Sequence, residues 1–207
     1  VGHLGSHRGE PALLLTREEL SLLTTPFQNA LVGRFALGRP PMEDVRKFFT
    51  SLGLKGDYPV GLLDSNHGLI RPSREEDYTH LFVRRTWFVR NCPMTVSKWA
   101  MDFTAGQEAS VAPIWVNFPG LPLPFFYKNI LYKLGSLLGR PLQVDSAASS
   151  LKRPSVARVL VEVDVAKSPI QRLWIGDDSD DQWQQVHYEN WPAFYHFCCR
   201  FGHSKEE

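Results

Sequence analysis

This sequence is poor in the features that would assign it a chemistry at once. Three cysteines, two of them adjacent (Cys198 and Cys199), are too few for a disulfide framework and suit a reducing compartment. No apolar run nears the roughly 20 residues of a membrane-spanning helix, and no secretory hydrophobic segment opens the chain. The expectation is an intracellular protein of nucleus or cytoplasm with no membrane partner. Because it begins with Val1 rather than Met, a fragment of a longer protein is expected. Charge of one sign is also missing: the net charge is +1, so the global balance gives no argument for nucleic acid. Catalytic signatures are absent as well, with no G-x-S-x-G elbow, H-E-x-x-H, Walker loop or G-x-G-x-x-G. The seven histidines are scattered. Asp64, Ser65, Asn66 and His67 gather a carboxylate, a hydroxyl and an imidazole, but a tight turn takes those residue types anyway. A non-enzymatic protein is expected.

What is present is enough to fold, since 43% of the residues are hydrophobic. The stretch from Ile114 to Val165 is the most legible. Ile114, Trp115 and Val116 form a short apolar strand that halts at the Pro- and Gly-dense turn of residues 117–122. From Pro124 the residues Tyr127, Ile130, Leu131, Leu134, Leu137 and Leu138 recur at helical spacing, and Gly139 suits a left-handed residue after the helix end. Leu142 and Val144 read as one strand. Arg158 to Val165 reads as another, its four valines alternating with Arg158, Leu160, Glu162 and Asp164. The valine face needs the helix as cover, leaving the second face for solvent or a partner.

Ahead of this lies a similar order of elements. Residues 1–26 read as a flexible lead, although Thr16 and Glu19 have capping-box spacing. Then come a strand over 29–37, a helix with Val45, Phe48, Phe49 and Leu52 on one stripe, and two short strands, 58–63 and 68–70, around the Asp64–His67 turn. A helix follows, opened by a Ser73 and Glu76 capping box and carrying Tyr78, Leu81 and Phe82. The last strand is 94–99. Residues 27–101 thus form a βαββαβ unit in the order of the ferredoxin-like split βαβ used by RNA-recognition modules. Residues 102–112 read as a linker, and 113–190 as a second βαββ unit with a C-terminal hairpin, its strands over 170–175 and 183–188. The acidic residues 177–181 read as the solvated tip of that hairpin, with no acid recurring at calcium-loop spacing.

The chemical clue is in the tail. Cys198, Gly202 and His203 have the spacing C-x-x-x-G-H, the central half of a zinc knuckle, C-x-x-C-x-x-x-G-H-x-x-x-x-C. A two-residue gap lets two thiolates reach one ion, and the glycine frees the backbone so that the imidazole completes the tetrahedron. Here the first ligand position is Tyr195 and the last falls one residue past Glu207, so Cys198 and His203 are the metal-ligand candidates for zinc in a partial CCHC knuckle over 191–207. Phe197 and Phe201 flank the half-motif with Arg200 and Lys205 nearby, suiting base stacking and phosphate neutralisation. They equally suit an apolar cap on Trp191 and Pro192. Local basic runs add Arg84, Arg85, Arg90 and Lys98, with Trp87 interleaved, and Lys152 with Arg153. Each run reads either as a phosphate groove or as a solvated face.

A series of short motifs follows in a fixed order: Leu31-Val32-Gly33, Gly38-Arg39-Pro40-Pro41, Leu54-Lys55-Gly56, Val60-Gly61-Leu62-Leu63-Asp64, Gly139-Arg140-Pro141-Leu142, Ala157-Arg158-Val159, Trp174-Ile175-Gly176, Tyr188-Glu189-Asn190 and Gly202-His203-Ser204. From about residue 27 to the end this series resembles plant proteins of the DUF4283 family. That family looks like the gag-like product of LINE-type retroelements with a CCHC knuckle at its end. The resemblance implies a nucleic-acid-binding protein that packages or chaperones element RNA, with Cys198 and His203 matching knuckle ligands. Combined with the residues, it gives an α+β protein: a split βαβ unit, a second βαββ unit and a degenerate zinc-knuckle tail. The expected partner is single-stranded RNA or DNA, bound with low sequence specificity. The rival expectation is a protein-interaction or self-assembly module that self-associates and has lost nucleic-acid binding.

Overall fold

The computed structural model describes residues 2–105, 107–145, 157–176, 183–195 and 197–202. Lys152, Arg153, His203, Lys205 and the acidic loop of residues 177–181 lie outside them. Among the described residues the chain is α+β, with four α-helices and several antiparallel sheets. None of these helices is long and apolar enough to cross a membrane. The chain divides into two compact units, residues 1–78 with 86–102, and residues 79–85 with 103–207.

The first unit opens with a hairpin where a flexible lead was expected. β1 (His3–His7) pairs antiparallel with β2 (Glu10–Leu14) around Arg8 and Gly9, at φ 52° and 88°. Two successive positive-φ residues match the twist of paired strands, which a count of flexible glycines does not anticipate. α1 (Arg17–Thr24) then starts from the expected capping box. Thr16 Oγ1 accepts from the Glu19 N–H at 3.2 Å, and Glu19 Oε2 accepts from the Thr16 N–H at 2.9 Å.

The main sheet of this unit is built on β3 (Leu31–Phe35). α2 (Met42–Ser51), β4 (Val60–Leu62), β5 (His67–Ile70), α3 (Glu75–Arg84), β6 (Thr86–Val89) and β7 (Cys92–Lys98) follow, in the sheet order β4-β5-β3-β7-β6. β6 is an added strand. Arg90 and Asn91, at φ 47° and 63°, make its two-residue turn into β7, a turn that a reading of 84–98 as a basic run passes over. Trp87 is buried there, edge-on to Phe48 of α2 at 6.0 Å. The Ser73 and Glu76 capping box is not formed. The Ser73 N–H donates to the Asp57 carbonyl at 2.8 Å, and the Glu76 carboxylate goes to Lys55 Nζ at 2.7 Å. Asp77 does the structural work instead: almost fully buried, it accepts from the N–H groups of Lys55 at 3.0 Å and Gly56 at 2.8 Å. It thereby ties the loop after α2 to the first turn of α3.

The second unit repeats this connectivity in part. β8 (Val111–Phe118), α4 (Lys128–Ser136), β9 (Arg140–Val144) and β10 (Ala157–Asp164) are followed by β11 (Arg172–Trp174), β12 (Trp183–Gln185) and β13 (His187–Tyr188). The sheet order is β13-β8-β10-β9, which is the order β7-β3-β5-β4 of the first unit with equivalent strands in equivalent places. Alternation sets the core: Ala157, Val159, Val161 and Val163 sit opposite Phe118, Val116, Ile114 and Ala112, all buried. α4 is shorter than the apolar spacing suggests. Leu123–Phe126 is a 3-10 turn, Tyr127 is extended at ψ 136°, and the helix begins at Lys128, leaving Tyr127 and Leu137 exposed and Leu131 and Leu134 inside.

Two expectations about this unit are corrected. Gly139 is not left-handed; a Cβ there would collide with the Glu162 carbonyl oxygen, so the glycine serves close approach of the chain to β10. The second face of β10 is not open either, since Leu160 and Glu162 are buried and Arg140 Nη1 lies 3.9 Å from Glu162 Oε2. Arg158 on that face donates from Nε to Asp145 Oδ2 at 2.9 Å and from Nη1 to Glu189 Oε1 at 3.2 Å, and covers Trp115 at 4.5 Å. Burial opposes its charge, but the bonds to Glu189 and Asp145 outweigh that and raise its pKa.

Gly139→Ala is expected to destabilise the second unit by about 1–3 kcal/mol, because the backbone oxygen it meets cannot swing aside; urea unfolding measures it. A second prediction concerns Asp64. Burial pushes its carboxyl up, but the Asn66 N–H, the His67 ring and the His67 N–H together hold it below the ordinary range. A carboxylate lowered in this way stabilises the fold above its unfolded value near 4, and that contribution is lost as pH falls through the folded value. Asp64→Asn should therefore flatten the acid limb of the stability-versus-pH curve; an unchanged limb below about pH 4 contradicts this.

Candidate nucleic-acid interface

Two partly exposed tryptophans of the second unit meet on the β11–β12 hairpin. Arg172 pairs with Gln185, Leu173 with Gln184 and Trp174 with Trp183. Period-two alternation turns Leu173 and Gln184 inward, where Gln184 Nε2 donates to the Pro119 carbonyl at 2.8 Å. The outward phase carries Arg172, Trp174, Trp183 and Gln185. Trp174 and Trp183 meet edge-to-face at 5.4 Å, and the Arg172 guanidinium lies 4.3 Å from the Trp183 ring centroid. The two indoles remain 38% and 51% exposed. The result is a short ladder of cation and π faces held on paired strands.

A groove of about 560 Å³ adjoins this ladder. It forms where the chain leaves β12 for β13 and so passes from the hairpin to the main sheet. The sequence reading took residues 183–188 as one strand; it is two strands of different sheets, because Val186 between them donates its N–H to the Gln171 carbonyl at 2.9 Å and buries its side chain. Gln171, Gln185, His187, Tyr188 and Trp191 line the groove. Tyr188 and Trp191 meet edge-to-face at 5.0 Å, and the Tyr188 hydroxyl donates to the Ile170 carbonyl at 2.9 Å. Burial pushes the Tyr188 phenol up.

The tail forms a small hairpin of β14 (Phe194–Tyr195) and β15 (Arg200–Phe201), with Cys199 at φ 50° in its turn. Phe194 and Phe201 stack edge-to-face at 4.9 Å and pack against the core. Glu108 pins the hairpin from both sides: its N–H donates to the Cys199 carbonyl at 2.8 Å, and its Oε2 accepts from the Phe201 N–H at 3.1 Å. The Arg85 guanidinium lies 4.0 Å from the Phe201 ring centroid. Desolvation lowers the Arg85 pKa, with Glu108 opposing. The Cys198 thiol points to the Tyr195 carbonyl at 3.9 Å. Of the knuckle's ligand set the described residues supply Cys198 alone, and no three His, Cys, Asp or Glu side chains converge among them. The other candidate ligand, His203, lies outside the described residues.

The other residues singled out in the sequence occupy separate surroundings. Arg84 ends α3, Arg90 pairs with Asp44 at 3.1 Å in the turn after β6, and the Lys98 ammonium sits over Tyr78 at 5.5 Å. Arg200 is exposed on β15 and Phe197 is 89% exposed beside it. Of this set the structure brings Arg85 and Phe201 together, against each other, so the cation already occupies the ring face. The sequence reading missed Arg172, Trp174, Trp183 and Gln185. The signal was present as tryptophans in the outward phase of two short strands, but their register across the intervening loop is a tertiary fact.

Residues 24–107 match the family described as Domain of unknown function (DUF4283), which covers β3 through β7 and leaves the hairpin ladder and tail outside the match. No curated protein matches the chain.

Phe201→Ala removes both the face under Arg85 and the partner of Phe194. The tail hairpin should open more often, and trypsin cleavage after Arg200 in the native protein should accelerate several-fold, in proportion to the open population. Cleavage at the wild-type rate contradicts the assignment of Phe201 as the tail's anchor.

Proposed function

We propose that this chain is a non-enzymatic binder of single-stranded RNA or DNA with little sequence preference. We read β3-α2-β4-β5-α3-β7 as a ferredoxin-like split βαβ of the kind used by RNA-recognition modules, and β8-α4-β9-β10 as a related half-unit. The observation that carries the functional reading is the Arg172, Trp183 and Trp174 ladder. Two indoles left half in water on paired strands forgo burial worth a few kcal/mol, and unpaired bases are ligands that stack on such faces at about 1–3 kcal/mol per base. Arg172 supplies a cation for the adjoining phosphate, and Phe197 with Arg200 offers a second ring and cation. The reading does not depend on zinc. It accords with the gag-like origin that the family resemblance implies.

A second reading, self-association, has the β1–β2 hairpin in its favour, where Leu4, Leu13 and Leu14 are exposed on a two-stranded sheet. Sedimentation of the free chain tests it separately.

Fluorescence anisotropy with a single-stranded RNA of about twelve nucleotides tests the main reading. Affinity should fall linearly on a log-log plot between about 50 and 200 mM salt, with a slope of about 0.7 per phosphate neutralised. Trp183→Ala should weaken binding about fivefold or more. No binding at low salt overturns the proposal.

A further inference from the structure

The groove beside the ladder has a lining unlike the rest of the hairpin. Gln171, Gln185 and His187 supply its polar lining, and Tyr188 and Trp191 line it alongside Pro169 and Val186. Among the described residues no Asp, Glu, Lys or Arg lines it. A neutral ligand group suits this lining, which offers an ion no counter-charge of its own. The group must also be planar enough to lie against two rings, and it must carry donors and acceptors on one edge to meet carboxamides that offer both. The volume of about 560 Å³ lies within the range of small-molecule sites. A cation stands at the groove's edge, since Arg172 is next to Gln171 in the chain and is the cross-strand partner of Gln185.

A neutral planar edge covalently joined to an anion is the chemistry of a nucleotide within a strand. Resting on the nucleic-acid reading, we infer that the groove takes one unstacked nucleobase: Gln171, Gln185 and His187 hydrogen-bond its edge, Tyr188 and Trp191 face its ring, and Arg172 holds its phosphate. Neighbouring bases stack on Trp183 and Trp174. Binding is then nonspecific along the ladder and selective at one position. The groove exists because the chain changes sheets at Val186, which fixes Gln185 and His187 on either side of a buried residue.

The experiment compares about twelve-nucleotide homopolymers of A, U and C by anisotropy on the full chain and on the double variant Gln171→Ala, Gln185→Ala. Both side chains are exposed, and the bonds shown for these residues use their backbone carbonyls, so the variant should fold; its far-UV spectrum and unfolding midpoint check this. The wild type should prefer one homopolymer by about fivefold or more, the size of a good carboxamide-to-base match. In the variant the preferred homopolymer should fall to within about twofold of the others. A preference that persists in the variant comes from stacking on the ladder and overturns the groove assignment while leaving the nucleic-acid reading intact. Equal affinities in the wild type overturn it in the same way. If no homopolymer binds, both readings fall, and a shift of Trp fluorescence on adding a proline-rich peptide would then assign the groove to a protein partner.

Discussion

The second unit depends on the eight-residue antiparallel register between β8 and β10. Pairing Val159 with Val116 and Val161 with Ile114 sends every second residue of both strands to one face, and α4 covers that face. The same register sends Trp115, Asn117, Arg158 and Leu160 to the other face, where Arg158 joins Asp145 of one flank to Glu189 of the other and Asn117 Nδ2 donates to Glu189. A slip of one residue would exchange the two sets and bury an arginine against the helix. Close approach is the second condition: Gly135 lies against Val159 and Pro141, and Gly139 against the Glu162 carbonyl, so helix and strand meet at backbone distance.

From this register the candidate interface follows by connection. β13 adds to the free side of β8 through two residues, and Glu189 N–H to Trp115 carbonyl extends the join by 2.8 Å contact. β12 must reach β13 across Val186 alone, which leaves the hairpin standing off the main sheet with one face inward and one outward. The ladder and the groove are the two products of that crossing. Their linings differ as their positions do: Arg172 and two indoles on the hairpin, and Gln171, Gln185 and His187 with Tyr188 and Trp191 at the groove.

The tail shows how packing reassigns residues whose types suggest binding. Phe197 and Phe201 flank the same half-motif, yet Phe201 is held by Phe194, Glu108 and Arg85 while Phe197 stands in solvent. The two phenylalanines are equivalent in composition and charge context. Only the hairpin turn at Cys199 separates them.

The sequence alone determined the α+β class, most element positions and the valine face of β10, because those depend on local period and on residues a few places apart. The capping box at Thr16 was legible for the same reason. Strand β6 and the β1–β2 hairpin were not, since each rests on a pair of non-glycine or mixed residues adopting positive φ, which their types permit without requiring. Gly139 was rightly marked but for the wrong cause: its neighbour, the Glu162 carbonyl, comes from another strand. The ladder of Arg172, Trp174 and Trp183 and the groove at Gln171 and Gln185 were decided by tertiary structure, because they arise from register across a loop and from a change of sheet, neither of which leaves a period in the chain.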